Sequence, residues 1–123
     1  MSLPVLLAAG LMSVTVVVHV MMGGPEIMNP LREAGLPPVI QTVMNVIWHA
    51  VTVVLFCLAV ALFWLTWNPN TALLMIVSAI QVGFAGLFIW YGLTQLQSLW
   101  IMPQWVVFLG VPALAVWGAR ATF

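Results

Sequence analysis

Residues 39–67 read VIQTVMNVIWHAVTVVLFCLAVALFWLTW, a stretch that contains no Asp, Glu, Lys or Arg. A helix needs about 20 mostly apolar residues to cross the hydrocarbon core of a bilayer, and this stretch exceeds that length. The uncharged region extends on both sides of this stretch: no Asp, Glu, Lys or Arg occurs between Glu33 and Arg120, and none precedes Glu26. The stretch therefore predicts a membrane-spanning helix in a chain that lipid solvates over most of its length.

The composition of the whole chain agrees with this prediction. Only 3% of the 123 residues are charged and 65% are hydrophobic, and the mean hydropathy is +1.23. A soluble domain carries about 25% charged residues. The apolar runs are continuous, whereas strands of a membrane barrel alternate apolar and polar residues. We therefore expect an all-α integral membrane protein with one domain over residues 1–123.

Four spans fit into this length. The predicted helices cover residues 3–22, 39–67, 71–93 and 104–119, and their short connections favour an antiparallel, up-down-up-down bundle. The sequence Gly23-Gly24-Pro25 is expected to end the first helix, because glycine and proline both disfavour a helix interior. Residues 23–38 are then expected to form a polar, proline-rich connection on the membrane surface.

The polar side chains of the first two spans form a candidate site. In antiparallel helices His19, near the end of the first span, and His49, early in the second, reach a similar depth at about 1.5 Å per residue. Asn45, His49 and Thr52 recur at spacings of three and four residues, which places them on one stripe of the second helix. Glu26 lies just beyond the first span. These five side chains are the candidate ligand or polar-site residues.

Two interpretations of this site remain open. Polar side chains commonly form hydrogen bonds between membrane helices and hold them in register. Alternatively, His19 and His49 could ligate one haem b or one metal ion, because two facing helices of a bundle can supply two imidazoles. A two-haem cytochrome with four histidine ligands is excluded by the count of two histidines.

Other function classes lack the residues that they need. Ion exchange usually uses a carboxylate inside the membrane, and both carboxylates here lie in the predicted connection. The single Cys57 cannot form an intramolecular disulfide. Two basic residues provide no positive surface for nucleic acid. No catalytic motif is present, so we expect a protein that is not an enzyme.

The first half of the chain resembles an uncharacterised group of small bacterial four-helix inner-membrane proteins. The resemblance lies in HVMMGGPEIMNPL (residues 19–31) and PPVIQTVMNVIWHAVT (residues 37–52). The group shares a histidine before paired glycines, a later Pro-Leu, and a Trp-His with a downstream threonine. The matching positions are His19, Gly23, Gly24, Pro30, Leu31, Trp48, His49 and Thr52. The resemblance implies a multi-pass protein of a bacterial inner membrane and implies no activity.

The short connections lead to an expectation about function. With little mass outside the bilayer, the chain must contact its partners within the membrane, so we expect an accessory or stabilising subunit of a larger energy-transducing complex. Its expected partners are membrane lipid and other subunits or further copies of itself. Gly83, Gly86 and Gly110 are the predicted sites of close helix packing. The alternatives are a binder of one haem or metal ion and a small homo-oligomeric channel or transporter.

The orientation of the chain depends on very few charges. Four spans place both termini on one side, where Arg120 and the terminal amine favour the cytoplasm. Arg32 lies on the opposite side of the membrane and favours a cytoplasmic location for that side instead. We expect cytoplasmic termini.

Overall fold

The structure, a computed structural model, describes all residues from Met1 to Phe123. The chain is 85% helical and contains no strand, so the predicted all-α fold is confirmed. The chain forms, in order, α1 (Leu3–Val18), a π-helical segment (His19–Met28), α2 (Asn29–Glu33), α3 (Pro38–Trp67), α4 (Thr71–Gln95) and α5 (Trp105–Thr122).

Four helical stretches are long and apolar enough to cross a membrane. The first runs without interruption from Leu3 to Glu33 through α1, the π segment and α2, over 31 residues. The others are α3, α4 and α5, with 30, 25 and 18 residues. The protein is therefore a four-helix bundle with one candidate span in each of these stretches.

The first span extends beyond the predicted end at Met22. Gly23, Gly24 and Pro25 all lie inside the π segment, so most of the predicted connection is helical and only residues 34–37 are not. The wider π turn accommodates Pro25, which has no N–H to donate and whose ring would collide with a carbonyl of the preceding α-helical turn.

The short link between α2 and α3 is an ordered turn. Gly35 adopts a φ of +66° just after α2, a conformation that glycine permits at low cost. The Gln41 side chain donates from Nε2 to the carbonyl of Arg32 across 2.9 Å. Pro38 then opens α3 at a position where its missing N–H leaves no hydrogen bond unmade. These features reverse the chain within a few residues.

The turn between α3 and α4 is also defined by local chemistry. The Asn70 side chain accepts a hydrogen bond of 2.9 Å from the N–H of Leu73. This bond satisfies one of the free donors at the start of α4, as an N-terminal capping residue does.

The helices form an array with α1 near its centre. α1 packs extensively against both α3 and α5, and α4 packs extensively against α5. α3 and α4 are neighbours in the sequence but make the least contact of these pairs. The core is drawn from all four spans, with Met12, Leu55, Leu62, Leu65, Val5 and Val111 as its largest fully buried apolar side chains.

One end of the bundle is closed by contacts between distant parts of the chain. The N–H of Ser2 donates to the carbonyl of Thr66 across 3.0 Å, so the start of α1 lies beside the end of α3. Gly118 of α5 lies directly against Pro4 and Ser2. These contacts agree with the expected antiparallel pairing of α1 with α3, and they leave the candidate site towards the other end.

Candidate functional site

The candidate site is centred on a hydrogen bond between α3 and the π segment. His19 begins the π segment, and its Nε2 lies 3.0 Å from Oγ1 of Thr52. The Thr52 hydroxyl donates to the carbonyl of Trp48, one turn earlier on the same helix, across 3.2 Å. Because that proton is already used, Thr52 accepts from His19, which places the His19 proton on Nε2.

Trp48 stacks on one face of the same imidazole ring. The rings of His19 and Trp48 are stacked, with centroids 4.1 Å apart and planes 17° from parallel. Trp48 and Thr52 are four residues apart on α3, so one face of that helix presents the stacking surface and the hydrogen-bond acceptor together. The ring of His19 is therefore oriented by two independent contacts.

Gly23 provides the space that Trp48 occupies. A Cβ at this position would lie 2.9 Å from Cη2 and 3.4 Å from Cζ2 of Trp48. Any side chain at position 23 would press on the indole that stacks on His19. Gly24, the next residue, has nothing within 4 Å of the same test position. The paired glycines therefore differ in role, and only Gly23 belongs to what we call the His19 clamp, namely His19, Gly23, Trp48 and Thr52.

The clamp leaves one ring nitrogen free. Nδ1 of His19 makes no hydrogen bond within the chain, while Nε2 is held by Thr52. Metal-ligating histidines typically have this arrangement, in which one nitrogen is oriented by a neighbour and the other is available to the metal. His19 could therefore offer Nδ1 to a ligand without breaking its contact to Thr52.

The other candidate residues do not share the surroundings of His19. His49 is exposed on α3, Asn45 is half-buried, and Glu26 is exposed on the π segment. Of the five candidates, only Thr52 bonds to His19. No group of three or more His, Cys, Asp or Glu side chains is placed to hold a metal ion. The structure thus brings His19 together with Thr52 and leaves His49 at the outer surface.

The predicted packing glycines face outward. Gly83, Gly86 and Gly110 are exposed, and a Cβ at each would meet nothing within 4 Å. They do not mediate close packing inside this chain. The glycines that do so are Gly118, beside Pro4, and Gly92, whose Cβ would lie 2.9 Å from the carbonyl oxygen of Ser98.

Sequence reasoning missed a second group of polar residues. Gln81 and Ser78 lie on α4, with 0% and 8% of their surfaces exposed, and Oε1 of Gln81 and Oγ of Ser78 have no hydrogen-bonding partner. The signal in the sequence was the pair's spacing of three residues inside an otherwise apolar run, which places both on one helical face.

Two open grooves mark the lipid-facing surface. One, of about 410 Å³, runs between α1 and α5, where Thr15 and Gln104 are among its few polar residues. The other, of about 340 Å³, lies between α3 and α4 and is lined by Phe56, Cys57, Val60, Ala61, Trp64 and Leu73. Both have the apolar lining that lipid chains or the side chains of a neighbouring helix fill.

The chain was compared with known protein families, curated proteins and solved structures. No family model, no curated protein and no solved structure matches the chain. The fold and the helix compositions alone support its class. The chain is a multi-pass membrane protein whose four apolar helices form an all-α bundle.

Proposed function

We propose that the chain is a non-enzymatic accessory subunit that stabilises a larger membrane complex through contacts inside the bilayer. The observation that carries the proposal is the outward position of Gly83 and Gly86 on α4, where added side chains would meet open space. Membrane helices approach each other most closely where such small residues face a partner.

The exposed face of α4 has the pattern of a helix interface. Ala79 and Gly83 are exposed and four residues apart, and the exposed Gly86 follows three residues later. The opposite face of α4 contributes buried residues such as Val77 and Ala85 to the core of the bundle. α4 therefore has one face used within the chain and a second, small-residue face available to another membrane protein.

The His19 clamp supports a structural role for the candidate site. The hydrogen bond to Thr52 and the stack on Trp48 join the π segment to α3 without any further ligand. Such bonds hold membrane helices in register and are worth about 1 to 2 kcal/mol in model peptides. A subunit that presents a preformed surface to partners needs this kind of internal rigidity.

The partner test is purification of the tagged chain from its native membrane in mild detergent. The wild-type chain should co-purify with other membrane subunits, and Gly86→Leu should release them while leaving the chain folded. Ala50→Leu adds similar bulk at an exposed position of α3 and should retain the partners. Isolation of the wild-type chain as a stable monomer without co-purifying subunits would refute the proposal.

The finer placement of the subunit is also proposed. We place it in a bacterial inner membrane, in an energy-transducing complex, with cytoplasmic termini and antiparallel spans. The test labels single cysteines at Asn70 and Gln97 in a chain whose Cys57 is replaced by alanine. The antiparallel arrangement requires the two positions to react from opposite sides of the membrane, and reaction from the same side would contradict it.

Binding of one haem or metal ion is the second candidate function. It is favoured by one specific observation, the free Nδ1 of a His19 ring whose orientation is already set. A second ligand such as His49 would have to come from the outer surface of α3, where that side chain is exposed. An optical spectrum and metal analysis of the purified protein test this candidate, because His19→Ala should abolish the haem absorption or the bound metal.

A further inference from the structure

A fully buried amide lies near the middle of α4. Gln81 has no exposed surface. Its Nε2 donates to the carbonyl of Val77 across 3.0 Å, which sets the orientation of the amide. The other end of the amide, Oε1, has no donor within reach. A carbonyl oxygen left unpaired in an apolar interior is strongly disfavoured, so we expect Oε1 to accept a hydrogen bond from another group.

A second unpaired group lies on the same face of the helix. Ser78 is buried, and its Oγ has no hydrogen-bonding partner. Positions 78 and 81 are three residues apart, and side chains at this spacing are neighbours on a helix surface. Ser78 offers a proton and lone pairs, and the unpaired atom of Gln81, Oε1, offers an acceptor.

The facing helix supplies a carbonyl group that lacks its usual helical donor. Pro112 is buried in α5 and has no N–H, so the helical hydrogen bond to the Phe108 carbonyl is not made. The ring of Phe108 contacts Phe84 and Phe88 of α4, with centroids 5.3 and 5.9 Å away. If α4 and α5 run in opposite directions, the turn of α4 before Phe84 faces the turn of α5 after Phe108. That arrangement brings Gln81 to the level of Pro112.

We propose that Gln81, Ser78 and the Phe108 carbonyl bind one water molecule inside the bundle. The water would donate one proton to Oε1 of Gln81 and the other to the Phe108 carbonyl, and it would accept the proton of Ser78. Buried waters typically make about three hydrogen bonds to groups that are otherwise unpaired. This water site does not depend on the proposed partner.

Transfer of magnetisation from water to protein, measured by solid-state NMR on the full chain in lipid bilayers, tests this site. The side-chain amide of Gln81 should receive magnetisation from water rapidly, although it lies deep in the bundle. The buried Leu74 and Ala85 on the same helix serve as internal references and should receive it several-fold more slowly. Transfer to Gln81 that is no faster than to these two residues would overturn the proposal.

Two proline variants test the role of the Phe108 carbonyl. Pro112→Ala restores an N–H that can bond to that carbonyl, so the water loses an acceptor and its transfer to Gln81 should fall at least two-fold. Pro38→Ala, at the first position of α3, should leave the transfer unchanged. Unchanged transfer in a folded Pro112→Ala chain would remove Phe108 from the site. If that variant does not fold, the wild-type measurement still decides whether the water is present.

Discussion

Replacing Gly23 with alanine tests whether the His19 clamp depends on the open space beside Trp48. The new methyl carbon would lie 2.9 Å from Cη2 of the indole, whereas carbon atoms pack best at about 3.5 to 4.0 Å. The indole must therefore move by roughly 0.5 to 1 Å. Because it is stacked on His19 with a centroid distance of 4.1 Å, this movement disturbs the stack as well.

The expected cost follows from these contacts. Overfilling a packed site costs about 1 to 3 kcal/mol, and an aromatic stack contributes about 0.5 to 1.5 kcal/mol, of which only part is lost. In a helix, alanine is also more favourable than glycine by about 1 kcal/mol. Gly24→Ala has the same favourable term, and its new carbon meets nothing within 4 Å. The difference between the two variants should thus be about 1 to 3 kcal/mol, with Gly23→Ala the less stable.

The assay is reversible unfolding of each variant in lipid bicelles by a denaturing detergent, which gives the free energy of unfolding. The nitrogen chemical shifts of the His19 ring should also change in Gly23→Ala and remain constant in Gly24→Ala. Equal stability of the two variants, together with unchanged His19 shifts, would refute the assignment of Gly23 to the clamp.

Two further substitutions have definite expected outcomes. Gly118→Ala places a carbon 2.7 Å from the rigid ring of Pro4 and should lower the free energy of unfolding by about 1 to 3 kcal/mol. Gly110→Ala, whose new carbon meets nothing within 4 Å, should not lower it. Similar stabilities of the two variants would contradict the close approach of α1 and α5. Thr52→Val removes the acceptor of His19 and should cost about 1 to 3 kcal/mol in the same assay, and a cost below about 0.5 kcal/mol would show that this bond is not needed.

The number and character of the spans could be predicted because they follow from transfer free energy. Long uncharged runs locate α3, α4 and α5 within a few residues, and they also give the start of α1. The end of the first helix could not be placed in the same way, because glycine and proline disfavour an α-helix but do not exclude a π turn. The backbone stays helical through Pro25 by changing to this wider turn.

The depth of the candidate site in the bundle could be predicted, but the side chains that face each other there could not. Helical rise placed His19 level with the region of His49 and Thr52, and His19 does contact this part of α3. Which of these neighbours it meets depends on the rotation of α3 about its axis, and the rotation is set by packing against α1. Gln81 and Ser78 were missed because their spacing places them on one helical face but does not show whether that face meets lipid or the core.

The position of α1 between α3 and α5 has a consequence for biosynthesis. α1 is made before the other three long helices, yet one of its two main neighbours, α5, is made after α3 and α4. α4 also packs mainly on α5 and only slightly on α3 before it. A chain interrupted before Trp105 therefore has only the α1–α3 pair in place, with one side of α1 and most of α4 unpartnered. The bundle can close only after α5 has been made, because both α1 and α4 need it as a neighbour.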